Sequence, residues 1–426
     1  MKHYLYKCVK CSKRYNAEEI ENKLIYLCLV CGRTEKNRPL DGILRIEYDY
    51  EDIANSLKRE MFLQFPPGQF WLYPQLWPLS FRIHKDNIEF DNISDKQINS
   101  IGLNSPPLQQ IDYNGNLIDL LDDTRNPTLS YKDRATSLVL AKAIQLKINE
   151  ISAASTGNAG TSLAGLSAKL GITSHIFVPS TIPTVKRIQI QSYGANIYVV
   201  DGNYDEAFDL CLKISESKGW YNRNTAYNPL TIEGKKSAAY DIFVSTNGDL
   251  PDVIFVPVGD GVIISGLYKG FWELKELGWI AKIPKLIAVQ ADGSNALARY
   301  LSSNEFEYIE AKTLADSISA GAPRNLFMAS DAVNESNGSV ITVTDAEILS
   351  SQESLAKDFG FLVEPAAAAS FAGYINYSNS ILNLQKEKIL LLLTGNGLKD
   401  VSSLEGWNHK PIVRSYAQWE KILGKA

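Results

Sequence analysis

The sequence predicts an α/β protein carrying a small cysteine-rich module at its N-terminus. Short apolar runs recur between stretches of helical pattern: Ile176 to Val178, Ile197 to Val200, Val253 to Val256, Leu286 to Val289 and Ile389 to Leu393. Uninterrupted runs of this kind fit strands buried on both faces, and their alternation with helices fits parallel strands joined by crossovers. Four of the five cysteines fall in two C-x2-C pairs near the start of the chain. No internal repeat or low-complexity tract interrupts the pattern.

At 426 residues the chain is long enough for more than one domain. Its 45% apolar and 21% charged content sets disorder aside, and a net charge of -5 offers no global attraction to nucleic acid or an acidic membrane. Every apolar run falls short of the about 18 residues that mark a bilayer span, and the N-terminus lacks a signal-peptide core. A cytoplasmic protein without membrane or nucleic-acid partners is expected.

Residues 1–45 form the first unit. Cys8 and Cys11 are followed, after a gap of sixteen residues, by Cys28 and Cys31, a spacing typical of four-thiolate zinc sites. Tetrahedral zinc takes ligand pairs from two tight turns, and Gly32 gives the second turn its conformational freedom. A zinc ribbon with a structural Zn2+ is expected, its folding coupled to the metal. Disulfides are the competing reading, disfavoured in a reducing cytosol. Residues 1–40 hold nine lysines and arginines against four glutamates. A nucleic-acid-binding ribbon is therefore the rival class of function, although lysines solvating a small module explain the surplus without a partner. Ile43 to Tyr48 alternates like an edge strand.

Residues 46–120 read as a wrapping segment and the start of the main body, and the aromatic clusters Phe70-Trp71-Leu72-Tyr73 and Leu76-Trp77-Pro78 are expected to pack rather than bind a ligand. Cys211 lies in an apolar pattern and is expected in the core.

Four segments beyond this carry chemistry. Asn126-Pro127-Thr128-Leu129-Ser130-Tyr131-Lys132-Asp133-Arg134 opens into a helical pattern, placing a lysine where it can be held neutral and aimed. Ser155-Thr156-Gly157-Asn158-Ala159-Gly160 suits a strand-to-helix turn whose amides point at an anion. Val256-Pro257-Val258-Gly259-Asp260-Gly261-Val262-Ile263 is a glycine turn feeding a helix, a phosphate-binding geometry. Thr394-Gly395-Asn396-Gly397-Leu398-Lys399-Asp400 closes the last apolar strand.

Rival motifs are incomplete. Ile264 stands where a dinucleotide fingerprint needs its third glycine. Gly160-Thr161-Ser162-Leu163-Ala164 lacks the final glycine of a nucleophile elbow, and Gly234-Lys235-Lys236 lacks the hydroxyl of a Walker loop.

Taken in order, these segments resemble those of threonine synthases, pyridoxal-phosphate enzymes of the tryptophan-synthase fold type (fold type II), whose lysine block reads Asn-Pro-Thr-Gly-Ser-Phe-Lys-Asp-Arg. Leu314 to Gly321 and Glu364 to Ser370 resemble family segments as well. The resemblance implies two αβα domains with parallel or mixed sheets: a small one over 145–250, and a large one made of 121–144 and 251–426, with the cofactor between them. It implies a homodimer acting on a small amino-acid substrate, converting O-phospho-L-homoserine and water to L-threonine and phosphate. Lys132 would hold pyridoxal 5'-phosphate covalently and serve as the catalytic base. Asn158 would bind the ring hydroxyl, Thr394 would face the pyridine nitrogen, and Gly259, Asp260, Gly261, Val262 and Ile263 would bind the cofactor phosphate through their amides. Ser155 and Thr156 would clamp the substrate carboxylate, with Lys186 and Asn224 at the substrate phosphate.

The chain departs from that pattern at Leu129 and Tyr131, where the family has Gly and Phe, and at Ala135, where Gly is usual. Asn104-Ser105-Pro106-Pro107-Leu108 replaces Gly-x-Thr-Pro-Leu. These changes are expected near the substrate. The alternatives within the class are a cysteate synthase-like or other β- or γ-replacement enzyme, or a threonine dehydratase.

Overall fold

The computed structural model describes residues 2–85, 87–103, 108–380, 387–408 and 411–423; of the segment 104–108, only Leu108 falls within them. At the N-terminus β1 (Tyr4–Cys8), β2 (Arg14–Asn16) and β3 (Leu44–Tyr48) form an antiparallel sheet in the order β2-β1-β3, so the alternating run is an edge strand. The aromatic-rich stretch that follows contributes short helices and the hairpin β4 (Phe81–His84) and β5 (Asn87–Phe90). Its aromatics are packing: Trp71, Tyr73 and Trp77 are buried, and Phe62 meets Tyr73 at 4.6 Å and Trp279 at 4.9 Å.

Two sheets organise the rest. A hairpin, β6 (Gln109–Tyr113) and β7 (Asn116–Asp122), turns through Asn114 and Gly115, both at positive φ as a tight two-residue turn demands. The strands β8 (Glu150–Ala154), β9 (Thr173–Pro179), β10 (Asn196–Val200) and β11 (Tyr221–Asn222) form a parallel sheet ordered β10-β9-β8-β11. A second sheet adds β12 (Val253–Pro257), β13 (Lys285–Ala291), β14 (Ser339–Val343) and β15 (Ile389–Leu393) to the hairpin, in the order β14-β13-β12-β15-β7-β6. Only β6 runs antiparallel there. All five apolar runs are parallel strands.

The C-terminal ends of β7, β8, β12 and β15 lead into the four segments singled out above, the end of such sheets where ligands bind. The helix Lys132–Gln145 packs against Asn158–Leu170 and Leu230–Lys235. Its approach to the last is close because Gly234 has no side chain: a Cβ there would lie 2.5 Å from the Arg134 carbonyl oxygen. No helix among the described residues is long and apolar enough to cross a membrane.

Arg134 anchors the lysine helix. Fully buried, it donates from Nε and Nη2 to Asp123, at 2.5 and 2.8 Å, and from Nη1 to Asp241 at 2.6 Å. Removing the cation would leave two buried carboxylates without their counter-ion, so Arg134→Met should lose about 3 to 5 kcal/mol of stability in urea unfolding. A loss below about 1 kcal/mol, the level of an exposed pair, would refute the anchoring role.

Candidate active site

Lys132 is the first residue of its helix and borders a cleft between the two sheets. Burial pushes its amine below the usual lysine range; Arg223 and Lys186 push the same way, while Glu364 and Asp260 oppose them. The approach to it is rigid. Thr128 donates from its backbone N–H and its hydroxyl to Asp133 at 2.7 and 2.6 Å, folding the loop onto the helix start. The Tyr131 N–H donates to the Thr394 carbonyl at 2.9 Å and the Asn396 N–H to the Leu129 carbonyl at 3.1 Å. Lys132 and Thr394 are thereby stitched into one cleft wall.

Leu129 takes φ 68, left-handed backbone that favours glycine, which accounts for the Gly in related lysine blocks. The Tyr131 hydroxyl donates to the Lys235 carbonyl at 3.0 Å, a bond Phe cannot make. Neither these residues nor Ala135 border the cleft. The expectation that they lie at the substrate is corrected: they change how the lysine helix is held, because a loop fixed on both sides faces inward at Lys132 alone.

The second wall starts at β8. Ser155 accepts from the Gly157 and Gly160 N–H groups, both at 2.9 Å, which curls the turn. Gly157 has φ 147, and a Cβ on it would meet Lys186 Cδ at 2.2 Å, so only glycine fits. Asn158 then opens its helix. Its Nδ2 donates to Glu364 at 2.7 and 2.9 Å and to Ser317 Oγ at 2.9 Å, while its Oδ1 is buried without a partner among the described residues. Glu364 lies so close to Gly395 that a Cβ there would come within 2.2 Å of its Oε1.

At the end of β12, Gly261 takes φ 83 and starts the helix Val262–Glu276, whose first amides have no partner inside it. The Asp260 carboxylate is turned aside, accepting from the Arg324 N–H at 3.0 Å and the Tyr204 hydroxyl at 3.3 Å.

The cleft is thus bordered by Lys132, Ser155, Thr156, Asn158, Gly259 through Ile263, and Thr394. Lys186 and Asn224 stand behind it. Lys186 donates to both oxygens of Asp316, at 2.8 and 2.7 Å; burial pushes its amine down, but Asp316 and Glu364 carry it up to about 12. Asn224 accepts the Ala154 N–H at 2.6 Å and props the end of β8. Sequence reasoning missed Tyr204, Thr225 and Lys235 as cleft residues. Nothing local singled out Lys235, which sits among Thr231, Glu233, Lys236 and Ser237 like a lysine of a polar helix face.

This donor set fits a phosphorylated pyridine aldehyde: open helix amides for a phosphate, an amine for the aldehyde, a lone buried acceptor at Asn158 for a ring hydroxyl, and a hydroxyl at Thr394 for a ring nitrogen. The cysteine sulfurs pass a similar test. All four lie within 4.8 Å of one another, with Cys8 and Cys31 3.4 Å apart and Cys11 and Cys28 3.5 Å apart, near the about 3.8 Å edge of a tetrahedral Zn–S4 centre.

A family model for pyridoxal-phosphate-dependent enzymes matches residues 105–395. The chain is 32% identical over 417 residues to a threonine synthase of Methanocaldococcus jannaschii, covering 96% of each chain. It is 31% identical over 435 residues to that of Methanosarcina acetivorans, covering 99% of this chain and all of the other. Among solved structures, a fungal L-serine ammonia-lyase from Rhizomucor miehei shares the fold with a TM-score of 0.61 at 21% identity, covering 71% of this chain and 97% of that one. With this cleft at the ends of its parallel strands, the chain belongs to the pyridoxal-phosphate-dependent enzymes and, within them, to the threonine synthases.

Proposed function

We propose that this chain is a lyase converting O-phospho-L-homoserine and water to L-threonine and phosphate. The observation that carries the reading is the meeting of Lys132, Asn158, Thr394 and the open amides of Val262 and Ile263 around one cleft, in a chain that aligns end to end with threonine synthases.

Lys132 would hold pyridoxal phosphate, which when bound would supply the electron sink of the reaction. The Lys132 amine would carry protons at the substrate α- and β-carbons, and burial, by lowering its pKa, favours the neutral form a base requires. Asn158 Oδ1 would accept from the ring hydroxyl, and its Nδ2, fixed by Glu364 and Ser317, holds the amide in that orientation. Thr394 would offer the ring nitrogen a hydroxyl rather than a carboxylate, which would weaken the sink and favour elimination and replacement over transamination. Ser155, Thr156 and the neighbouring amides bind the substrate carboxylate without a cationic side chain. Lys186 and Asn224 form the second layer of the phosphate end, where Lys186 takes a phosphate oxygen by releasing one Asp316 contact. In the ribbon, Cys8, Cys11, Cys28 and Cys31 hold a structural Zn2+, and the enzyme acts as a homodimer in the cytoplasm.

The nucleic-acid reading of the ribbon loses its footing in the contacts: Lys2, Lys7, Lys10, Arg14, Lys36 and Arg38 each have a carboxylate within 4.0 Å.

Two outcomes follow. Purified enzyme given O-phospho-L-homoserine should release threonine and phosphate in equal amounts, with little 2-oxobutanoate from threonine; formation of 2-oxobutanoate from threonine without action on the phosphorylated substrate would mark a dehydratase instead. Elemental analysis should find one zinc per chain, lost in Cys8→Ser and Cys28→Ser with a fall in thermal stability, while turnover persists in the folded fraction because a closed thiolate site has no position for substrate. Stoichiometric absence of metal, or a zinc needed for turnover itself, would overturn the ribbon assignment.

A further inference from the structure

The cleft holds a second lysine that these roles leave unused. Lys235 ends the helix Leu230–Lys235, is 1% exposed and borders the cleft alongside Lys132. Its amine has no hydrogen-bond or ion-pair partner among the described residues. Other buried lysines do: Lys142 pairs with Glu21, Lys186 with Asp316, Lys236 and Lys269 with Glu233, and Lys399 donates to Thr128, Thr161 and Gln189. Next to it lies a second unsatisfied cation. Arg223 is fully buried and, among the described residues, donates only from Nε, to Thr136 at 3.2 Å, leaving both Nη atoms without partners there.

Two buried cations beside Lys132, with Asp260 the carboxylate acting on Lys235 and Asp133 one acting on Arg223, make a pocket that can take further negative charge. Burial pushes the Lys235 amine far down, and Lys132 and Arg223 push it further; an anion reverses that and restores the ammonium. Position indicates which anion. A Cβ on Gly266 would lie 2.8 Å from Lys235 Cβ, so the lysine stem leaves its helix beside the first turns of Val262–Glu276, whose open amides already suit a phosphate.

We propose that Lys235 is a phosphate-binding residue of the cleft, its ammonium receiving the dianion of a phosphate monoester with Arg223 behind it. Two such esters meet in this cleft, the cofactor's and the substrate's. The proposal rests on the threonine synthase reading for the second alone.

The test uses Lys235→Met, with Lys235→Gln as a second uncharged variant should the first not fold, and Lys235→Arg as the charge-retaining one. Cofactor-stripped protein is titrated with pyridoxal phosphate and with pyridoxal; holoenzyme is titrated with inorganic phosphate by calorimetry. If the cofactor phosphate is the ligand, the uncharged variants lose about tenfold or more of the preference for pyridoxal phosphate over pyridoxal. If it is the substrate phosphate, that preference holds and inorganic phosphate binds about tenfold or more weaker. In either case Lys235→Arg restores most of the loss. Both affinities within about twofold of wild type in a folded uncharged variant would overturn the proposal. Because neither readout requires turnover, an enzyme that makes no threonine leaves this test intact.

Discussion

Two backbone hydrogen bonds, from Tyr131 to Thr394 and from Asn396 to Leu129, fix the geometry on which everything else in the cleft depends. They join the loop after β7 to the loop after β15, strands paired side by side in one sheet, so the amine of Lys132 and the hydroxyl of Thr394 are set by backbone rather than by side-chain packing. Lys399 reinforces the seam. From the far end of the Thr394 segment it donates to the Thr128 carbonyl, Thr161 and Gln189, each at 2.9 Å, tying in the helices of the opposite sheet. A reaction that moves protons between adjacent carbons tolerates little drift in its base, and this double seam supplies the stiffness.

The ribbon is continuous with that machinery. Its Glu21 accepts from Lys142 of the lysine helix at 2.9 Å and from Tyr4 and Tyr6 at 2.7 and 3.0 Å. Leu40 and Ile43 share an apolar cluster with Ala226, Ile232 and Val262, the last being the residue that opens the phosphate-facing helix. Tyr48 donates to Glu233, which also pairs with Lys236 and Lys269 in a buried network directly after Lys235. The fold of the ribbon therefore bears on the back of the cleft, where removing one member of a buried charge network costs about 3 to 5 kcal/mol.

Much of this was legible in the residues, for identifiable reasons. Strands buried on both faces leave uninterrupted apolar runs, and all five appear as β9, β10, β12, β13 and β15. The strands β7 and β14 escaped because Asn116 to Asp122 carries aspartates and Ser339 to Val343 is an edge with exposed positions, while β8 was legible only as the strand implied before the turn at Ser155. Glycine turns and cysteine spacing announce themselves, since backbone conformation and metal geometry admit few residue types. Side-chain pairing across long sequence separations does not. Nothing local reveals that Lys186 is held by Asp316, that Asn224 props β8, or that Lys235 is left without a partner, because each depends on how two sheets come together.

The claim that one lysine at the start of one helix carries the cofactor is open to direct measurement. Holoenzyme is reduced with borohydride, digested, and the modified peptide sequenced by mass spectrometry, in wild type and in Lys132→Ala. The expected result is a single pyridoxyl adduct on Lys132, absent from the variant along with turnover. An adduct on Lys235, or a labelled site that survives in Lys132→Ala with activity, would contradict the account.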